Sequence, residues 1–290
     1  MTTKLSDEQI QHLLHGIAIP PQPQVMVDLQ MEQFSPSCSV SSIAHLISQD
    51  VGLSGAILKT VNSPYFNLSN EISSITQAVN LLGVDSVVNL VNAQSIRGAL
   101  SDADIIALGA FWDNAMDVAM AAAAIAKQIG FPTPDEAYTL GLFHDCGIAL
   151  LMERFENYTS ILHEAYSRED ACILDTENQL INTNHAVVGY YVGKSWNLPL
   201  FMCEAIHEHH KVEKLFENEQ IDPKKKTLLA ILKMAEHICG TYRHYSDQSV
   251  DHEWQRIAEM ILLYVGLSTY DFEAMAENLS EIGLGNNISL

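Results

Sequence analysis

Hydrophobic positions along this chain recur with the helical period almost throughout. Val40, Ile43, Ala44 and Ile47 fall at i, i+3, i+4 and i+7, which is one face of a helix. Ser39 stands where that helix takes its N-cap. Ser74 with Gln77, and Ser6 with Gln9, read as capping boxes, in which residues three apart satisfy each other's free backbone N–H groups. A long helix begins near Phe111 and ends at Gly130 and Pro132, and Pro134 opens the next. Thr183 is placed to cap a helix running to Trp196. Asn197 to Pro199 breaks the chain, and Pro199 sits where a helix starts. Ser268 is placed to cap a last helix whose first turn holds Asp271. The segment from Val84 to Val91 is Val-rich, yet Asp85, Asn89 and Asn92 leave one helical stripe apolar; over so short a segment periodicity leaves helix and strand both open. No run of strands, internal repeat or low-complexity segment stands out. The expected fold class is all-α. Two polar stretches, Ser101 to Asp104 and Glu217 to Lys226, divide the chain into a helical bundle over 1–100, a second over 101–216 and C-terminal helices over 217–290 that pack on the second.

Composition narrows the class. The 290 residues suffice for a substantial core, and 48% hydrophobic with 18% charged residues is a globular composition. The formal net charge of −21 repels phosphate backbones and anionic lipid, so neither direct nucleic-acid binding nor a membrane surface is expected. Lys224, Lys225 and Lys226 form the only basic run and, following Pro223, read as a solvated helix start. The segment from Met1 to His12 has no apolar signal core, and the longest apolar stretch, around Val118 to Ala126, falls short of the ~20 residues a bilayer needs. Five scattered cysteines without a C-x-x-C pair fit reduced thiols, and a cytoplasmic location is expected.

Twelve histidines are present, and one set of them carries candidate chemistry. His144 and Asp145 are adjacent in Leu142-Phe143-His144-Asp145-Cys146-Gly147, taken to lie near the middle of an apolar helix. His185 opens a later helix, and His209 and His210 end the one after Pro199. Imidazole and carboxylate together are metal donors. Adjacent donors on a helix point about 100° apart, so the pair grips an ion only with help from a bend or from close helix packing, which Gly147 permits. The same residues also suit a hydrogen-bonded core network, or a helix C-terminus where imidazolium complements the dipole. Residue types alone leave these readings open.

The order of landmarks adds to this. Ile19-Pro20-Pro21-Gln22-Pro23, Ile47 to Leu53, Leu58 to Phe66 around Asn62-Ser63, and Ile72 to Gly83 come first. Phe111-Trp112, Gly141 to Asp145, His185 with Gly189, Trp196 to Pro199 and His209-His210 follow. Taken together, from about Ile17 to His210, this succession resembles the HDOD family, which is related to HD-type metal phosphohydrolases. The resemblance implies two packed helical bundles, the second HD-like. It implies metal ligands at His144, Asp145, His185, His209, His210 and Glu236. The family relation places a first His two positions after the Trp, where this chain has Asn114, and a final Asp where it has Glu236. No Gly-Tyr-Pro triplet follows His209-His210, and Ile148 replaces the expected Lys, which argues against cyclic di-GMP phosphodiesterase activity of the HD-GYP type. The resemblance therefore implies a bacterial signal-transduction module with an altered metal site, acting through signalling proteins or a small ligand and open to oligomerisation. A metal-dependent phosphohydrolase is the alternative, in which Asp145 would bridge or position the nucleophile. The implied cofactor is one or two divalent ions from among Fe, Mn, Zn, Ni and Mg, or none. Phe66 and Tyr65 near Asn62 read as turn packing before they read as a contact surface.

Overall fold

Caps and apolar stripes set the helix boundaries. The computed structural model describes residues 17, 24–62, 71–98, 109–246 and 248–284, and among them the chain is helical, with no strand. The Ser6–Gln9 box, Ile19 to Pro23, Ser63 to Phe66 and the Ser101 to Asp104 stretch lie outside the described residues. The N-terminal helices are α1 (Gln24–Gln33), α2 (Val40–Ser48), α3 (Val51–Val61), α4 (Ile75–Leu82) and α5 (Val84–Gly98). The central ones are α6 (Gly109–Gln128), α7 (Pro134–Phe143), α8 (Cys146–Arg154), α9 (Tyr158–Tyr166), α10 (Ile173–Ile181), α11 (His185–Ser195), α12 (Leu200–Glu208) and α13 (Val212–Glu217). Then come α14 (Pro223–Cys239), α15 (Thr241–Tyr245), α16 (His252–Val265) and α17 (Thr269–Glu281). The Val84 to Val91 segment is helical, within α5. None of the described helices is long and apolar enough to cross a membrane.

Ser39 and Ser42 cap α2 reciprocally, and Ser268 and Asp271 do the same for α17. Ser74 accepts from Gln77 N at 3.2 Å, but the longer Gln77 side chain reaches past the cap to accept from Ser73 N instead. The cap of α11 is Asn184, accepting from Val187 N at 2.9 Å, rather than Thr183; asparagine is the stronger capping residue. Gly130, at φ +74°, stops α6, and the N–H of Phe131 returns to Ala126 O at 2.8 Å. The lysine run does start a helix, with Pro223 in its first turn, but the lysines are not solvated as a group. Lys225 reaches Glu204 and Glu208, Lys226 donates to Phe216 O, and Lys224 pairs with Glu136 at 2.7 Å. The run ties α14 to α12, α13 and α7.

Helix α6 runs through the middle and packs on α7 and α14. Its buried face is built from alanines, Ala115, Ala119 and Ala122 among them, which let backbones approach closely. A Cβ on Gly141 of α7 would lie 2.7 Å from the Ala119 Cα, so the α6–α7 contact needs glycine there. Helix α5 packs on α7 and joins the N-terminal helices to the centre, while α8 packs on α11, α11 on α12, and α12 on α14. One buried apolar cluster runs from Ile17 to Leu284. The polar residues described next interrupt it at a single place.

Candidate metal centre

Helix α7 ends at Phe143. His144 is its C-cap, Asp145 leaves helical geometry at φ −102° and ψ 9°, and α8 starts at Cys146. The His-Asp pair therefore sits at a sharp helix junction, not mid-helix, and the break aims both side chains inward. Gly147 supplies close packing as well: a Cβ there would lie 2.1 Å from His185 O and 2.9 Å from Gly189 N. Only hydrogen at that position lets α8 press onto the first turn of α11, and this contact brings Asp145 to His185.

His185 opens α11, His209 is the C-cap of α12 with His210 next, and Glu236 lies near the end of α14. All six predicted residues converge. His144, His185 and His209 are 0% exposed, Asp145 1%, His210 6% and Glu236 7%. His185 Nε2 lies 3.3 Å from His209 Nε2, and each of these nitrogens is 3.4 Å from Asp145 Oδ1. The other Asp145 oxygen, Oδ2, is 3.2 Å from His144 Nε2, which is 3.4 Å from Glu236 Oε1. Donor atoms thus gather in two groups that share Asp145: Asp145 with His185, His209 and His210, and Asp145 with His144 and Glu236. Asn114 joins neither. It is half-buried, and its Nδ2 faces Thr241 Oγ1 at 3.4 Å.

The outer nitrogens explain the inward ones. His144 Nδ1 donates to Gly141 O at 2.7 Å and His209 Nδ1 to Ile206 O at 2.6 Å. His185 Nδ1 donates to Glu177 Oε2 at 2.8 Å, and His210 Nδ1 faces the Glu253 carboxylate at 3.0 Å. Carbonyls and carboxylates only accept, so each Nδ1 carries a proton, and each ring in its neutral form presents its Nε2 lone pair to the pocket. His144 Nε2, His210 Nε2 and both Asp145 oxygens lack a hydrogen bond of good geometry. Lone pairs converging in a buried pocket repel one another unless a cation or protons lie between them. The 3.3–3.4 Å triangle of Asp145, His185 and His209 matches a divalent ion, whose N and O ligands at about 2.0–2.2 Å stand roughly 3–3.5 Å apart. The donor set fits a metal.

Electrostatics agree with that demand. Burial opposes charge on His144, but Asp145 and Glu236 outweigh it and raise its pKa to about 10. Burial would raise Asp145; His144 leads the groups that hold it well below the usual carboxylate range. Burial first pushes His209 and His210 down, then positive charge from His210 and Lys233 on His209, and from Lys233 and His185 on His210; the neutral form is the one a metal binds. Metal and proton compete for the same inward nitrogens.

Several residues of the site escape the sequence reading. Glu177, fully buried, accepts from both His185 and the Tyr158 hydroxyl. Glu253 of α16 receives His210 and Lys233. Lys233, 3% exposed, lies 2.8 Å from Glu236 Oε2 and 3.0 Å from Glu253 Oε2. A signal for two of them exists. Glu177 sits at i+4 from Ile173 and i−4 from Ile181, and Lys233 at i+4 from Leu229, so each places a charge on a buried helical stripe. Beside the cluster lies a pocket of about 20 Å³, partly open to solvent, between Tyr166, Lys233, Glu236, Glu253 and Trp254.

An all-helical core with His, Asp and Glu donors converging from four separated segments defines an HD-like helical protein. The chain belongs to the HDOD domain family, whose model matches residues 19–212. The fold is shared with an HDOD domain protein of unknown function from Geobacter sulfurreducens, at 22% identity and TM-score 0.68, covering 98% of both chains. It is shared too with a candidate phosphohydrolase from Shewanella amazonensis SB2B, at 23% identity and TM-score 0.65, covering 96% of this chain and 94% of that one. In sequence the chain is 27% identical over 197 residues to an uncharacterized protein of Treponema pallidum (strain Nichols), covering 67% of this chain; the match spans 38% of that relative's length.

Proposed function

We propose that this chain is a bacterial signal-transduction module that acts through a protein partner or a small ligand, with its HD-type site kept as a closed cluster. The observation that carries this reading is burial. The donor atoms are almost wholly buried, and the pocket beside them, about 20 Å³ and partly open to solvent, is small for a phosphoester. A catalytic metal needs an open coordination position that substrate can reach. Two substitutions point the same way. Asn114 stands where HD phosphohydrolases carry their first His, and its amide is turned to Thr241. Glu236 stands in place of the final Asp and is held by Lys233 as well as His144. A divalent ion bound here would be held by Asp145, His185, His209 and His210, or by Asp145, His144 and Glu236. It would supply charge that locks the α7–α8 junction to α11, α12 and α14.

The second reading, a metal-dependent phosphohydrolase, draws on the convergence of the donors, which is what water activation by a metal requires. Assay against phosphomonoesters, nucleotides and cyclic dinucleotides with added manganese or iron separates the two. The module reading expects no turnover above background. Turnover that disappears in Asp145→Ala would overturn it.

A further inference from the structure

Lys233 is the one ammonium within contact distance of the cluster among the described residues, and a protonated lysine offers no lone pair to a metal. It projects from α14 one turn before Glu236. Its Nζ lies 2.8 Å from Glu236 Oε2, 3.0 Å from Glu253 Oε2 and 3.3 Å from His210 Nδ1, and the side chain is 2% exposed. No solvent screens this charge. Of the two donor groups that share Asp145, the one with His144 and Glu236 is the weaker. It has three donors, one of them a carboxylate already bound to Lys233, and Asn114 adds nothing to it.

We propose that the Lys233 ammonium is a built-in cation standing in for a second metal ion, so that the cluster takes up a single divalent ion, at Asp145, His185, His209 and His210. This rests on the reading of the cluster as a metal site. The ammonium neutralises Glu236 and Glu253 and repels a divalent ion from the His144–Glu236 side. On the other side, three imidazoles and one carboxylate form a complete set of four donors without any contribution from Glu236. Lysine, with three donors and a compact charge, suits a position between two carboxylates where a metal would otherwise bridge them.

The test is metal stoichiometry by elemental analysis and native mass spectrometry, on the full chain purified without chelator and then saturated with manganese. Wild type is expected to hold one ion, Lys233→Arg one, and Lys233→Met two, the second neutralising the exposed carboxylates. One ion in both wild type and Lys233→Met, or two in wild type, would overturn the inference and leave the metal site standing. No ion in any form removes the metal site itself, and the inference with it. Should Lys233→Met not fold, as read by circular dichroism, His144→Ala decides: it is expected to retain the ion, whereas His209→Ala loses it. Loss of the ion in His144→Ala would overturn the assignment to the imidazole side.

Discussion

Replacing Gly147 by alanine tests how the centre is assembled. The new Cβ would stand 2.1 Å from His185 O, where ordinary contact is about 3.4 Å, so α8 and α11 must separate by roughly 1.3 Å or α8 must rotate. The obstacle is backbone, which cannot swing aside as a flexible side chain can. Overpacking of this kind costs about 1–3 kcal/mol, and the severity of the clash places it near the upper end. Alanine gains up to ~1 kcal/mol over glycine in a helix, which offsets part of the loss but does not reverse it. A net cost of about 2 kcal/mol lowers Tm by roughly 3 °C in a chain of this size. Asp145 and His185, now 3.4 Å apart, would also separate on the scale of an ångström, more than a shared ion tolerates. Thermal unfolding followed by circular dichroism, with metal content measured on the same preparation, reads both effects. A Gly147→Ala protein with wild-type Tm and wild-type metal content would refute the argument that this contact builds the site.

Three further outcomes are expected. Glu177→Gln removes the charge that orients His185 and should weaken divalent-metal affinity about 10- to 100-fold in a chelator competition, with the helical spectrum retained; unchanged affinity would contradict the role given to Glu177. Asp117 on α6 has its pKa raised to about 6, by burial and then by Asp113. The folded state therefore binds the proton more tightly than the unfolded one, and stability falls as pH rises from about 4 to about 6. The shift would convert to about 3 kcal/mol, but partial exposure and screening cut this to ~1 kcal/mol. Asp117→Asn should accordingly raise Tm by about 2 °C at pH 7.5 and much less at pH 4, as differential scanning calorimetry would read. Ser39→Ala should cost about 1 kcal/mol in urea unfolding, because Ser39 and Ser42 each satisfy the other's backbone N–H; a cost below 0.3 kcal/mol would contradict the cap's role.

Most of the fold is legible in the sequence because it is carried by local signals. The Val40, Ile43, Ala44, Ile47 stripe, the Ser39 and Ser268 caps and the Gly130 stop depend on residues within a turn or two, and each appears as read. The cap at Asn184 instead of Thr183 is a one-residue displacement between two competent neighbours. The candidate donors are legible for a different reason, since His144, Asp145, His185, His209, His210 and Glu236 fall at the family's landmarks, and the structure brings them together. Their outer partners are less so. Glu253 reaches His210 across 43 residues, and no local pattern marks a carboxylate for that task. The lysine run is misread as solvated because Lys225 and Lys226 find partners only once α12 and α13 have packed. The position of His144 and Asp145 at a helix break is hidden too, since buried apolar residues flank the pair on both sides, Leu140 to Phe143 before it and Cys146 to Leu151 after it.

The measurement that tests the central claim most directly is the divalent-metal content of the chain, purified without chelator, beside that of Asp145→Ala, the residue shared by both donor groups. A metal centre predicts a stoichiometric ion in the wild type and none in the variant. Less than about a tenth of an equivalent in the wild type, with no uptake when manganese, iron or zinc is supplied, would contradict it and leave the six side chains as a proton-linked core network.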